Sequence, residues 1–172
     1  MRRVILITIM VLGHCVLVAG QPLNRTAVRF SYNQIEVSYG RQLDNLPFTP
    51  EAYIGIANQD ISSEFDDLTG GIRLVFPVFS FPKSEIDASA EIGFYLPHND
   101  FYNANAFTAG INLGYEKFLG QKQRHSLLLN IGYRYGKRSY KQEYRDEAIF
   151  IATTDEFEVS PLCFCIGYCL RF

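Results

Sequence analysis

From residue 86 onward the chain alternates apolar and polar side chains with a period of two. Ile86, Ala88, Ala90, Ile92, Phe94 and Leu96 fall on one face, and Asp87, Ser89, Glu91, Gly93 and Tyr95 on the other. Successive side chains of an extended strand point to opposite sides, so the pattern predicts a two-faced β-strand. It recurs with Phe107, Ala109, Ile111, Leu113 and Tyr115, and again with Leu127, Leu129, Ile131, Tyr133 and Tyr135. Weaker alternation marks Ile72 to Val78 and Ile35 to Tyr39, a shorter run covers 52–58, and a last run carries Leu162, Phe164, Ile166, Tyr168, Leu170 and Phe172 on one face. Seven strands are predicted, near 33–41, 51–58, 70–80, 85–96, 106–118, 125–137 and 159–172. Turn-rich segments separate them, and no stretch of useful length has a 3.6-residue period, so the expected topology is a series of hairpins with helices a minor element. Pro77 cannot donate to a ladder, which predicts a bulge or a locally broken ladder there.

An even-stranded barrel needs an eighth strand. Two segments could supply it: 26–32, where Val28, Phe30 and Tyr32 alternate with Arg29 and Ser31, or 148–153 within the charged stretch 137–158. The first is preferred, because it makes 137–158 an outer loop and the links at 81–84 and 119–124 inner turns. Eight strands of about 10 residues use about half of the chain left after residue 20.

Composition narrows the class. A length of 172 residues allows one domain, and 48% apolar residues argue against disorder. A mean hydropathy of −0.01 is too polar for a bundle of membrane helices. A formal charge of −2 leaves no broad basic surface for nucleic acid. At the N-terminus, Arg2 and Arg3 precede the apolar run Val4 to Leu12, and Val18 and Gly20 supply small residues ahead of Gln21. That is the layout of an export signal covering 1–20, with the working domain at 21–172. Its removal would take two arginines and no acid, leaving 14 cations against 18 anions, a formal charge of −4. It would also take Cys15 and leave Cys163, Cys165 and Cys169, an odd number that predicts no disulfide framework. Cys163 and Cys165 share a strand face about 6.6 Å apart, near the limit for a bridge, and are expected to be small strand residues. No metal or cofactor set is visible.

Which face is buried decides between a soluble β-sandwich or lipocalin-like barrel and a barrel turned outward to lipid. Small and polar residues on the second face suit a crowded lumen. Aromatics gather near strand ends: Phe79 and Phe81, Phe94 and Tyr95, Phe101 and Tyr102, Tyr115 and Phe118, Tyr133 and Tyr135, as in interfacial girdles. The final strand places Gly167, Tyr168, Leu170 and Phe172 in a pattern that resembles the C-terminal β-signal of bacterial outer-membrane β-barrel proteins: a glycine five residues before a terminal aromatic, with an apolar residue two before it. Leu170 stands where an aromatic is commoner. The resemblance covers the last strand closely and the remainder only in its alternation. It implies a closed antiparallel up-and-down transmembrane β-barrel in the bacterial outer membrane, contacting its lipids and read during biogenesis by the barrel assembly machinery through strand addition at an open edge.

The polar face carries Arg73, Arg134 and Arg171 with Asp87, Glu91 and Glu116. In an eight-stranded interior, wide enough only for side chains, these are expected to pair and fill the lumen rather than line a channel. Catalytic sets are sparse: beyond residue 20 the histidines are His98, near Asp100, and His125, beside Ser126. The expectation is a non-enzymatic barrel whose surface loops bind a partner or ligand. The alternatives are a lipid-modifying enzyme acting through those histidines and a soluble periplasmic β-barrel.

Overall fold

The computed structural model describes residues 24–43, 46–58, 65, 67–96, 106–146, 149–158 and 161–172; for 138–146, 149–150 and 153–158 it describes the backbone. The proposed export signal, Phe101 and Tyr102, and the pair His98 and Asp100 lie outside these residues. The described chain is all β: β1 (Asn24–Ser31), β2 (Gln34–Arg41), β3 (Thr49–Ala57), β4 (Asp67–Phe81), β5 (Ser84–Leu96), β6 (Ala106–Leu119), β7 (His125–Asp146), β8 (Ile149–Glu158) and β9 (Leu162–Arg171).

Each of β1 to β7 pairs antiparallel with the next, β7 also pairs with β9, and β9 pairs with β1. Eight strands therefore form a closed ring. The seam is complete to its end: Asn24 and Phe172 exchange backbone hydrogen bonds of 3.1 and 3.0 Å. Closure satisfies the edge groups that an open sheet would expose.

Both candidates for the extra strand are strands, with different roles. Asn24–Ser31 closes the ring between β2 and β9. The stretch 137–158, expected to be an outer loop, is instead largely a two-stranded ribbon in which Lys137–Asp146 pairs with Ile149–Glu158. It adds no strand to the ring, because β8 pairs with β7 alone. Ten paired residues at about 3.4 Å per residue carry the ribbon roughly 34 Å beyond the last ring pairing. The charged composition suggested a loop, yet β-branched and aromatic residues in IFIATTDEFE are enough to support a local hairpin.

The bulge expected at Pro77 is present. Pro77 faces Asp87 and Phe79 faces Ile86, so Val78 is the additional residue. Proline withholds its ladder hydrogen bond there and the strand absorbs the defect by bulging.

The ends of the barrel differ. The turns at 82–83 and 120–124, the strand ends at Arg41 and Thr49, and both termini of the described barrel lie at one end. The turn at 32–33, the strand ends at Ala57, Asp67, Leu96 and Ala106, and the ribbon lie at the other.

Candidate functional site

The strand alternation places polar side chains inside and apolar ones outside. Ile54, Ile92, Ile111, Ile131 and Ile166 are exposed by 57, 65, 68, 59 and 56%, whereas Arg29, Glu51, Arg73, Glu91 and Glu116 are all below 5%. Outward aromatics form two tiers. Phe30, Phe94, Phe107, Tyr133, Tyr135 and Phe164 lie toward the ribbon end, and Tyr39, Phe79, Phe81, Tyr115 and Tyr168 toward the short-turn end, with aliphatic residues between. Two expected girdle members face the other way: Tyr95 is buried in the lumen, and Phe118 lies inward with the Arg171 guanidinium 4.6 Å from its ring centre. Both occupy the inward phase of their strands, so proximity to a strand end does not decide orientation.

The lumen holds a continuous charge network. Arg73 donates to Glu91 from Nε at 2.9 Å and to Glu36 from Nη1 and Nη2 at 2.8 and 3.2 Å. Arg134 donates to Glu91 at 2.8 Å and to Gln34 at 2.6 Å, and Gln34 in turn donates to Glu36 at 2.8 Å. Arg29 donates to Glu36, to Ser38 and to Glu51. Glu51 is the hub: Arg25, Arg29 and Arg73 approach it at 2.8, 3.0 and 3.5 Å. Toward the short-turn end, Arg171 donates to both oxygens of Glu116 at 3.1 and 2.7 Å, Ser126 donates to Glu116 at 2.5 Å, and Arg25 lies 3.7 Å away.

Of the six charges expected in the lumen, Arg73, Glu91 and Arg134 fall in one cluster and Glu116 and Arg171 in the other. Asp87 is buried on the same wall and makes no ion pair among the described residues. The sequence reasoning missed Arg25, Arg29, Glu36 and Glu51. Their signal was present, since Arg29 and Glu36 occupy the polar phase of their runs, but the first three strands are short and their alternation weak. With them, and with Asp67, which is also buried on the inward phase of β4, the lumen has five arginines against four glutamates and two aspartates.

Register explains how long side chains fit. Glu36 faces Gly55, Glu91 faces Gly110, Asp87 faces Gly114 and Arg29 faces Gly167. A Cβ on Gly114 would stand 2.4 Å from Asp87 Oδ1, and one on Gly93 would stand 2.3 Å from the Tyr53 hydroxyl. Missing side chains on one strand make the space that charged or aromatic ones on the next fill. A pocket among Arg29, Gln34, Arg73, Asn130, Arg134 and Cys163 measures about 30 Å³, room for a water or two.

The other predicted positions are placed as follows. Gly167, Tyr168 and Leu170 lie on β9 with Phe172 directly after it, so these residues build the closing seam against β1. Gly167 makes room for Arg29, while Tyr168 is exposed outward and touches the His125 ring. His125 and Ser126 do not combine: Ser126 is buried facing Glu116 and His125 is exposed on the opposite face. Cys163, Cys165 and Cys169 are free thiols on the lumen face of β9. No group of residues able to hold a metal ion occurs among the described residues.

Compared with known proteins, the chain matches no family model, no curated protein and no solved structure.

Proposed function

We propose that this chain is an integral outer-membrane β-barrel protein, exported through its N-terminal signal, non-enzymatic, with a side-chain-filled lumen, and offering its ribbon end to a partner or ligand. The observation that carries the proposal is the inversion of the barrel. Isoleucines and leucines cover the outside while ten charged side chains are buried within. Water-soluble monomers rarely expose contiguous apolar patches beyond a few hundred Å², so a continuous band around a closed barrel calls for an apolar solvent. Its height fits. Phe107 and Tyr115 bracket Ile111 and Leu113 on the outer face of β6, and the span between them, at about 3.4 Å per residue and a tilt near 40°, projects to roughly 20 Å, against about 25 Å for the apolar band of such barrels.

The ribbon supports the second half of the proposal. Beyond the ring it has two edges without a strand partner among the described residues, and open edges accept an extended segment through main-chain hydrogen bonds. Its strands differ in charge, with Lys137, Arg138, Lys141 and Arg145 outnumbering Glu143 and Asp146 on β7, and Asp155, Glu156 and Glu158 as the charged residues of β8. A partner strand would therefore meet a different edge on each side.

The test is fractionation. The protein is expected to stay with outer membranes through an alkaline carbonate wash and to migrate faster on gels when unboiled than when boiled. Release by carbonate together with a single, heat-independent band would overturn the proposal in favour of a soluble β-barrel.

A further inference from the structure

The outer surface of the barrel is cationic at one end. At the short-turn end Arg41, Lys83, Lys117, Lys122 and Arg124 are all exposed. Arg41 and Lys117 hold outward positions, each two residues past an outward tyrosine, Tyr39 on β2 and Tyr115 on β6. Lys83, Lys122 and Arg124 belong to the two tight connections. None of the five forms an ion pair among the described residues, in contrast to the arginines of the lumen. The exposed or half-buried acid described there, Glu85, occupies an inward position at the barrel mouth and accepts from Ser80; Asp44 falls outside the described residues. At the ribbon end the exposed cation with a described side chain is Lys137. The collar thus runs against the formal charge of the whole chain, −2.

We propose that this collar binds the phosphate groups of anionic phospholipids in the leaflet at the short-turn end, an inference that rests on the membrane placement given above. Interfacial tyrosines mark the boundary of the apolar layer. A cation two residues further along the same strand face stands about 5 Å closer to water once tilt is allowed for, at headgroup depth. Its flexible apolar stem lets the charged end reach a phosphate oxygen. A zwitterionic headgroup carries its own compensating cation, so the selection is for net negative lipids. Lipid A is the other phosphate-bearing occupant, but it would lie in the opposite leaflet, at the ribbon end.

The full chain, folded first in neutral detergent and checked by its heat-dependent mobility, is reconstituted in phosphatidylcholine vesicles containing spin-labelled phosphatidylglycerol or spin-labelled phosphatidylcholine. The immobilised boundary fraction of each label is then compared by electron paramagnetic resonance. The expected result is a preference for phosphatidylglycerol of up to about five-fold, as for a single cation near a lipid phosphate. It should fall close to one at about 1 M salt, where the screening length is near 3 Å. It should also fall close to one in the combined variant Arg41→Gln, Lys83→Gln, Lys117→Gln, Lys122→Gln, Arg124→Gln, which leaves the lumen untouched, and persist in Lys137→Gln. Equal retention of both labels by an inserted barrel, or a preference that survives the combined variant, overturns the proposal alone. A chain that never inserts overturns the membrane placement and this inference with it. Preference for spin-labelled lipid A over phosphatidylglycerol also counts against it.

Discussion

Replacing Arg73 by methionine tests the charge network most directly. Arg73 is 4% exposed, and its guanidinium donates to Glu91 and bidentately to Glu36, stands 3.5 Å from Glu51 and lies 4.9 Å from the centre of the Tyr53 ring. Methionine keeps an unbranched stem and removes the cation, leaving its carboxylate partners one positive charge short. Breaking a buried ion pair on one side costs about 3 to 5 kcal/mol, because the remaining charge is left without compensation. Glu36 keeps Arg29 and Glu91 keeps Arg134, so the lower end applies: about 3 kcal/mol, or roughly a hundred-fold shift in the unfolding equilibrium. The chain contains no tryptophan, so urea titration in detergent micelles is followed by far-UV circular dichroism and by the unboiled gel band. With slopes of about 1 to 3 kcal/mol per molar urea, the midpoint should fall by roughly 1 to 3 M. The charge-balanced pair Arg73→Met with Glu36→Met should recover a large part of the loss, since replacing both partners of a buried pair by apolar groups is often neutral. A single variant within about 0.5 kcal/mol of the parent would refute the reasoning, because it would mean that the lumen is wet enough to solvate the orphaned carboxylates.

Other consequences are open to measurement. Gly93→Ala drives a Cβ to within 2.3 Å of the Tyr53 hydroxyl and 2.8 Å of the Gly70 carbonyl, and should lower stability by about 1 to 3 kcal/mol in the same titration. Tyr53→Phe removes a buried hydroxyl without a hydrogen-bond partner; it should be neutral or slightly stabilising alone and should partly rescue Gly93→Ala. Deleting 138–158 and joining the strands by a short turn should leave the heat-dependent mobility of the barrel intact, because β8 pairs only with the distal part of β7; loss of the folded band would show that the ribbon supports the ring. In planar bilayers the purified protein should give no large, steady openings, because paired charged side chains cross the lumen. Cys163, Cys165 and Cys169 should resist a bulky maleimide until urea opens the barrel; prompt labelling of the folded form would contradict their lumenal placement.

The strand pattern itself was legible because period-two alternation is a local property, strongest where one face is uniformly apolar. Strands β4 to β7 and β9 could be traced from it, as could the bulge at Pro77, which follows from the missing amide of one residue. The weak runs were harder. Arg25, Arg29, Glu36 and Glu51 lie on short strands whose apolar phases include small or polar residues such as Thr26 and Ala52, so their inward position depends on pairing with β4 and β9. The ribbon escaped for a related reason: whether a charged segment is loop or hairpin depends on register, which is set by two strands together.

What the sequence determined alone was the two-faced strand series, its hairpin order and most of the polar residues that line the interior, since each depends on neighbours two residues apart. Tertiary structure decided the rest. Ring closure through the β1–β9 seam, the direction each face points, and the joining of Arg25, Arg29 and Arg73 around Glu51 bring together side chains distant in the chain. Such contacts are fixed by register and curvature of the whole sheet, which no local periodicity encodes.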